Sequence, residues 1–399
     1  MARTGTATSR GVDAVDWNPA NLGLEDRPRL WIRVFAVAGG IGNNSFSRSQ
    51  MEGYYGTRLF EQDKQDILDR IPDPGVALWA GGEAQAFGIA YGPLAFVTKS
   101  VVESKATLPK AAAELVLFGN TLNRTYSLDD SDGWGWGVVS YILSGAKTFH
   151  VRCYSGPFRR AAWFDLYHRI QRISVGTSVK YARGIGYGEI TQTEGGMITT
   201  EDQIQGNGKL VARSAVGGSG TALDVGVAAL LEGHWTIGVS VINAFTRMKW
   251  DQEPKETLAW FTMHMRSLDD LSDEEALDHE DTTRTIRAFC ARLPRILRVG
   301  WAAEWPRRRL LLALDYEQIF GRVVQGTQAT RGAMGVEMGL WSWLFLRTGV
   351  SFNGWGYSVG AGLGVHFEHV RLDMGTGDLP GLLGRGKEMS AGLGGTVIF

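Results

Sequence analysis

The chain has 399 residues, of which 53 are glycine, 14 are tryptophan and only 11 are proline, and its formal net charge is −1. It contains no run of about 18 apolar residues, which excludes a helical membrane span, and a near-neutral chain without a basic stripe gives no sign of nucleic-acid binding. No proline- or serine-rich linker divides it into domains, so the composition favours long strands joined by tight turns.

The N-terminal part, residues 3–28, shows no hydrophobic period and includes the motif Asn18-Pro19-Ala20. We interpret it as a turn-rich segment that precedes a first strand at about Leu30 to Gly39. A polar loop is expected from Asn43 to Tyr55, followed by a short helix from Glu61 to Arg70.

Further along the chain, the pattern predicts three strands, at Val76 to Ala80, Ala84 to Tyr91 and Leu94 to Val102. Alanine-rich spacing from Leu108 to Phe118 predicts a helix that Gly119 caps. Strands resume at about Gly137 to Phe149.

From Arg172 onwards, apolar residues alternate with polar residues or glycine in strand after strand. Leu223 to Leu231 and Trp235 to Val241 alternate in this way, and a turn at Glu232 and Gly233 would join them as a hairpin. The run breaks at Gly195 to Gly208 and at Ser267 to Arg287.

The last strand ends the chain on an aromatic residue, with Leu393, Val397 and Phe399 on one side and Gly392 and Gly394 on the other. Successive side chains of a strand point to opposite faces. The second face of these strands also carries isolated charges, which a soluble sandwich would not bury in a dry core. The repeated pattern predicts an all-β fold: a transmembrane antiparallel barrel of about 14 strands, or 16, with lipid on the bulky side and a crowded lumen on the other.

This interpretation divides the chain into a plug, or hatch, at residues 1–28 and a barrel at residues 29–399. It also places the protein in the bacterial outer membrane, which requires export. No apolar leader follows Met1, so we expect that a signal peptide has been removed.

Three features resemble the FadL-like superfamily of outer-membrane barrels: the Asn18, Pro19, Ala20 motif, a glycine-rich first hairpin and a final strand ending in phenylalanine. The chain is most similar to the PorV-like and TraF-like branch. The resemblance implies about 14 strands with the N-terminal segment tucked inside as a hatch. For the transport members of the superfamily, the resemblance implies that hydrophobic molecules pass through the hatch region and a lateral opening in the wall.

Several charged residues fall on the inward face of predicted strands. They either line a polar conduit or form a structural network around the plug, and both interpretations require that they cluster, because buried charges must pair or stay hydrated. These residues are Lys180, Asp224, Arg298, Asp315, Glu317, Arg347 and Glu368.

The other candidate sites have simpler explanations. The acidic run at 269–281 lacks the glycine and spacing of a calcium loop and is interpreted as a solvated or partner-docking loop. His366 and His369 would point to opposite faces of a strand. Cys153 and Cys290 form either a disulfide or two unpaired thiols.

Tryptophans near strand ends belong either to aromatic girdles at the membrane interfaces or to ordinary core packing. Those singled out are Trp31, Trp79, Trp235, Trp301 and Trp341.

Two functions follow from the predicted barrel, and neither is enzymatic or requires a cofactor or a metal. The first is a passive conduit for hydrophobic or small amphipathic molecules, for which we expect an apolar pocket beside residues 18–22. The second is a sealed barrel that anchors a periplasmic or surface protein through the acidic loop and residues 40–70. A third hypothesis is a soluble β-rich binding module. The expected partners are outer-membrane lipid, hydrophobic small molecules or a protein, and no nucleic acid.

Overall fold

The computed structural model describes residues 3–25, 29–151, 170–265, 277–321, 330–353 and 356–399. These residues form a closed antiparallel barrel of 14 strands with a plug segment inside it. The predicted fold is therefore confirmed. None of the helices in these ranges has the length and apolar character needed to cross a bilayer.

The described residues contain nineteen strands: β1 (Leu30–Asn43), β2 (Gly75–Tyr91), β3 (Leu94–Pro109), β4 (Thr125–Ser127), β5 (Asp132–His150), β6 (Ile170–Thr199), β7 (Ile204–Ala215), β8 (Gly217–Leu231), β9 (Trp235–Gln252), β10 (Lys255–Met265), β11 (Leu277–Thr285), β12 (Phe289–Ala291), β13 (Arg295–Trp305), β14 (Leu310–Phe320), β15 (Thr330–Gly339), β16 (Leu344–Asn353), β17 (Gly356–His366), β18 (Val370–Thr376) and β19 (Glu388–Ile398). The described helices are α1 (Ala14–Trp17), α2 (Arg48–Tyr54), α3 (Glu61–Arg70), α4 (Lys110–Phe118) and α5 (Leu379–Leu382), with 3-10 turns at Gly11–Asp13, Pro19–Leu24 and Pro306–Arg308.

Fourteen barrel strands arise because several strands run on from one another. β8 continues β7, β10 continues β9, and β11, β12 and β13 form one further line, as their pairing with β6 and with each other shows. β4 adds three residues to the edge of β6. β1 pairs with both β2 and β19, which closes the barrel.

The two ends of the barrel differ. One end carries five described turns, at residues 92–93, 232–234, 306–309, 340–343 and 367–369, and we call it the short-turn end. The opposite end, the long-loop end, carries the excursion 44–74 with α2 and α3, the connection that contains α4, and the loop that contains α5. In bacterial barrels the short turns face the periplasm and the longer loops face outward.

The strand faces agree with the predicted alternation. Leu393 and Phe399 are 45% and 63% exposed on the outer surface, whereas Gly392 and Gly394 line the interior. A ring of exposed aliphatic and aromatic side chains surrounds the barrel, as expected where hydrocarbon replaces water. Its members include Val37, Leu143, Val179, Val227, Leu314, Leu346 and Leu363.

The predicted element boundaries were correct in part. Helix α3 occupies the predicted range, and Gly119, at φ +74°, ends helix α4. The loop expected from Asn43 to Tyr55 instead contains α2, which Ser47 and Gln50 begin with a capping box. The two short strands predicted between residues 76 and 91 are one strand, β2, since β1 and β3 pair along its length.

Two of the five singled-out tryptophans do not belong to a girdle. Trp31 and Trp79 point inward and are 6% and 7% exposed. Trp31 packs with Val12 and Leu22 of the N-terminal segment in the largest apolar cluster. The core-packing interpretation is therefore correct for these two residues, because a strand end does not decide which face carries the aromatic ring.

Candidate functional site

Residues 3–25, which we call the plug, pack against the inner face of the barrel. They contain only short helical turns, so most of their backbone N–H and C=O groups need partners outside regular structure. The wall supplies those partners. The Ser240 hydroxyl donates to the carbonyl of Trp17 at 2.6 Å, and the Thr148 hydroxyl donates to the carbonyl of Gly23 at 2.6 Å.

The motif Asn18-Pro19-Ala20 lies in close contact with the wall. The Asn18 side chain accepts a hydrogen bond from the Ala20 N–H at 3.1 Å and donates one to the carbonyl of Val227 at 3.1 Å. Gly176 and Gly226 lie opposite, and a Cβ on either would overlap the plug. Glycine is required at Gly176 because the plug backbone lies against it, and at Gly226 because the Asn18 side chain does.

A carboxylate of β14 holds the start of the plug. Asp315 accepts hydrogen bonds from the backbone N–H groups of Gly5 and Thr6, both at 2.9 Å, and from the Thr6 hydroxyl at 2.7 Å. Three donors aimed at one buried carboxylate compensate the loss of its hydration. Asp315 therefore fixes the position of the chain at residues 5 and 6.

Arg298 of β13, which pairs with Glu317 of β14, holds the middle of the plug. Their side chains pair at 2.7 Å, and the Arg298 guanidinium also donates to the carbonyl of Asp16 at 2.7 Å and lies 4.6 Å from the centre of the Trp17 ring. Arg331 pairs with the same carboxylate at 3.3 Å and donates to the carbonyl of Arg3 at 3.2 Å. The wall charges thus form hydrogen bonds to plug carbonyls as well as ion pairs.

Lys180 and Asp224 form a separate buried pair between β6 and β8. The ammonium lies 2.8 Å from the carboxylate, which is fully buried and also accepts the backbone N–H of Asn243 at 2.7 Å. Asn243 has φ +53° in a stretch of β9 that bulges opposite Asp224. The pair therefore stabilises a bulge in the wall and does not contact the plug in any hydrogen bond described here.

A cavity of about 1460 Å³ lies beside the plug, mostly against β1 to β3 and β13 to β19, and Arg172 of β6, Leu230 of β8 and Thr236 of β9 also line it. Its lining includes Arg29 and Arg309 near the short-turn end and Gly40 and Gly377 near the long-loop end. The cavity therefore extends along the barrel beside the plug. Where the plug ends, burial raises the pKa of Glu25, another lining residue, above its ordinary value.

A row of charged side chains crosses four neighbouring strands on this side. Arg347 of β16 pairs with Glu337 of β15 at 2.5 Å and with Asp373 of β18, and His366 of β17 lies 3.1 Å from the same aspartate. Gly364 lies between the Arg347 and Asp373 side chains, which meet across β17 because that position carries no side chain of its own. All four charged or titratable residues line the cavity.

The predicted inward charges therefore occupy three places. Asp315 and Arg298 contact the plug, and Glu317 pairs with Arg298 beside it; Lys180 and Asp224 pair inside the wall; Arg347 faces the cavity, which Arg298 and Glu317 also line. Glu368 is separate from all of them, since it lies in the exposed turn between β17 and β18 and not in a strand. Its predicted inward direction is wrong because the alternation of β17 ends at His366.

Sequence analysis missed a second set of plug contacts on β1, β2 and β3. Arg33 pairs with Asp13 of the plug at 2.5 Å, and Lys99 pairs with Asp16 at 3.2 Å and with Glu83 at 2.7 Å. Asp13 and Asp16 could not be predicted as contacts, because the plug has no hydrophobic period that would indicate where its side chains point. Arg33 and Lys99 do sit at polar positions within predicted strands, so applying the alternation rule to the first hairpins would have found them.

The remaining candidate sites are simple to place. Asp278, Glu280 and Asp281 lie exposed on β11, whereas the rest of the acidic run and Cys153 fall outside the described residues. Cys290 is exposed on β12. Among the residues described, no three His, Cys, Asp or Glu side chains lie close enough to hold a metal ion.

These features define the class of the protein as a transmembrane β-barrel that contains a plug and a cavity beside it. No family model matches the chain, and no curated protein matches it. A TodX deltaS2S3 mutant, a monoaromatic hydrocarbon channel, has a similar structure, with 13% identity, a TM-score of 0.52 and alignment over 100% of this chain and 97% of that chain.

Two other solved structures align over the whole length at lower scores. The toluene transporter TbuX of Ralstonia pickettii has 14% identity and a TM-score of 0.47 over 100% of this chain and 95% of that one. A Pseudomonas aeruginosa FadL homologue has 11% identity and a TM-score of 0.41 over 99% and 95%. At such identities the similarity to the TodX mutant concerns the fold alone.

Proposed function

We propose that the protein is a passive conduit of the bacterial outer membrane for small amphipathic molecules, and not an enzyme. The observation that carries the proposal is the cavity of about 1460 Å³ whose lining includes residues near both ends of the barrel. A barrel that served only as an anchor would gain stability from filling this space, because close packing of the interior is favourable.

The lining of the cavity supports amphipathic rather than purely apolar solutes. Residues 18–22, beside which an apolar pocket was expected, pack directly against the barrel wall. The cavity combines the Trp79 and Phe345 rings with the charges of Arg347 and Glu83. A solute with one apolar and one polar part could contact both kinds of surface, whereas a hydrocarbon would have to displace water from charged groups.

A side exit through the wall fits the same proposal. β1 and β2 pair continuously except at residues 34–35 and 86–87, where the two strands are not paired with each other. At the same height β1 has a bulge against β19, and β2 has a bulge against β3. Val34 and Phe87 are exposed there on the lipid side. Arg33 and Gln85, which flank the interruption, line the cavity. Fewer ladder hydrogen bonds have to break at this seam than elsewhere along the pair.

In this proposal, the division into residues 1–28 and 29–399 is functional, with the plug acting as a hatch. The Asn18, Pro19 and Ala20 motif serves as the attachment of the hatch to the wall, and Arg347 serves as the main cavity charge. Placement in the PorV-like and TraF-like branch rests on the sequence motifs alone.

The test is solute uptake by liposomes that contain the purified barrel, with benzoate and benzyl alcohol as probes. Gly392 lines the cavity from the inner face of β19, where an added Cβ would meet β1 and not the plug, whereas Gly332 has open space around it and does not line the cavity. We expect Gly392→Trp to reduce uptake several-fold, whereas Gly332→Trp, the matched control, leaves it unchanged.

A variant lacking residues 3–25 separates the two functions. A conduit should show higher uptake without the plug. If the complete barrel and the shortened one both give the uptake of empty liposomes, the transport proposal is wrong and the anchoring function takes its place. The tall sheet of β6, β7, β10 and β11 would then be the surface for a protein partner.

A further inference from the structure

One turn at the short-turn end differs in charge from the other four described turns. The turn at 306–309 carries three consecutive arginines, Arg307, Arg308 and Arg309, whereas the turns at 92–93, 232–234, 340–343 and 367–369 contain no lysine or arginine. The positive charge of this rim is therefore concentrated, within the described turns, between β13 and β14.

Two of these arginines have no partner among the described residues. Arg307 and Arg308 are exposed, and neither side chain forms an ion pair or hydrogen bond with any described residue. The acid nearest in sequence, Glu304, lines the interior cavity. Arg309 is placed differently, since its side chain lies over Gly339 and also lines the cavity. Two adjacent guanidinium groups thus remain available to an external anion.

Exposed tryptophans border the same turn on the outer circumference. Trp305 precedes it and is 41% exposed. The Gly339 N–H donates to the Arg309 carbonyl at 2.9 Å, which joins the turn to the neighbouring one, where the Trp341 and Trp343 rings stack at 5.5 Å.

The aromatic surface continues along the wall on the other side of Trp305. Trp235 and Trp301 meet edge to face at 5.6 Å, on β9 and β13. Leu340 and Met338, both 43% exposed, add apolar surface beside Trp341. Of the five girdle candidates, the three that do not point inward are Trp235, Trp301 and Trp341, and all three therefore lie in this one sector.

We propose that Arg307 and Arg308, together with Trp305, Trp341 and Trp343, bind the headgroup of an anionic phospholipid in the leaflet at the short-turn end. Tryptophan rings settle at headgroup depth, with their apolar part toward the acyl chains. Guanidinium groups bind phosphate oxygens through paired N–H donors. The two exposed arginines follow the exposed Trp305 directly in the chain, and cations next to an aromatic band favour a lipid over a soluble anion.

The test is native mass spectrometry of the detergent-purified barrel after incubation with equal amounts of phosphatidylglycerol and phosphatidylcholine. We expect the unchanged protein to retain phosphatidylglycerol preferentially. The double variant Arg307→Gln, Arg308→Gln should reduce that preference at least five-fold, and the preference of the unchanged protein should weaken as salt rises.

Two control variants keep the test specific. Arg58→Gln, Arg70→Gln makes the same charge change on exposed residues at the long-loop end and should leave the preference intact. The double variant Arg307→Lys, Arg308→Lys keeps the charge but removes the planar donors. Its preference for phosphatidylglycerol should lie between those of the unchanged protein and the glutamine variant. Equal retention of both lipids by the unchanged protein, or an undiminished preference in the glutamine variant, would overturn the proposal. Neither result bears on transport.

Discussion

The two sides of the lumen use small and charged residues in different ways. On the side of β5, β6, β8 and β9, Gly176 and Gly226 allow the plug to touch the wall, and the pair Lys180 and Asp224 is dry. On the side of β14 to β19, Arg347 and its partners face a cavity. The rule that glycine and charge belong inside a barrel therefore covers two physical situations. Loss of an ion-pair partner should lower stability on the first side and change ion selectivity on the second.

The largest expected effect is on the dry side. Lys180→Met removes the partner of a carboxylate that is fully buried, and an unpaired buried charge costs about 3–5 kcal/mol of unfolding free energy. Chemical denaturation in detergent, followed by tryptophan fluorescence, measures it. The matched variant on the wet side, Arg347→Met, leaves Glu337 and Asp373 in contact with the cavity and should cost less than about 1 kcal/mol. Equal costs would show that the two sides do not differ in hydration.

A smaller effect is expected from the glycines. A Cβ at Gly176 would overlap the backbone of Pro19 and Ala20, so Gly176→Ala must displace the plug and should destabilise the barrel by about 1–3 kcal/mol. Thermal unfolding measures the loss, and faster trypsin cleavage after Arg10 would report the displaced plug. Gly186 has nothing within 4 Å of an added Cβ and provides the control, since Gly186→Ala should be neutral or slightly stabilising. A neutral Gly176→Ala would contradict the close contact.

The smallest effect on stability, and the clearest on selectivity, is expected from Arg347→Gln. The change leaves two carboxylates of the cavity wall without their cation, so ions that cross the barrel should shift toward cations. The reversal potential in a planar bilayer under a salt gradient measures this shift. Arg284→Gln on β11, which breaks the exposed pair with Glu256 away from the cavity, should leave the potential unchanged. A shift in the control, or none in the test variant, would place the ion path elsewhere.

The sequence allowed prediction of the barrel because lipid and lumen alternate along every strand. The hairpin of β8 and β9, with its turn at Glu232 and Gly233, follows from that alternation, and so do the exposed positions of Leu393 and Phe399. Alternation gives direction relative to the wall only. It does not show which inward residues meet the plug.

For that reason the division of the lumen could not be predicted. Asp315 and Arg347 look alike in the sequence, as inward charges on neighbouring parts of the wall, yet one binds the plug backbone and the other faces the cavity. The plug itself has no period, so its contacts depend on hydrogen bonds between residues more than 200 positions apart. Such pairings leave no local signal.

The unequal strand lengths have a consequence for how a solute reaches the barrel. β6 has 30 residues, whereas β15 to β18 have 7 to 11, and about 9–11 tilted residues suffice to cross a bilayer. The surplus of β6, with β7, β10 and β11, rises as a screen on one flank of the outer mouth. β15 to β18, which border the cavity, have no such surplus, so a molecule that diffuses along the membrane surface meets a lower wall at these strands than at β6.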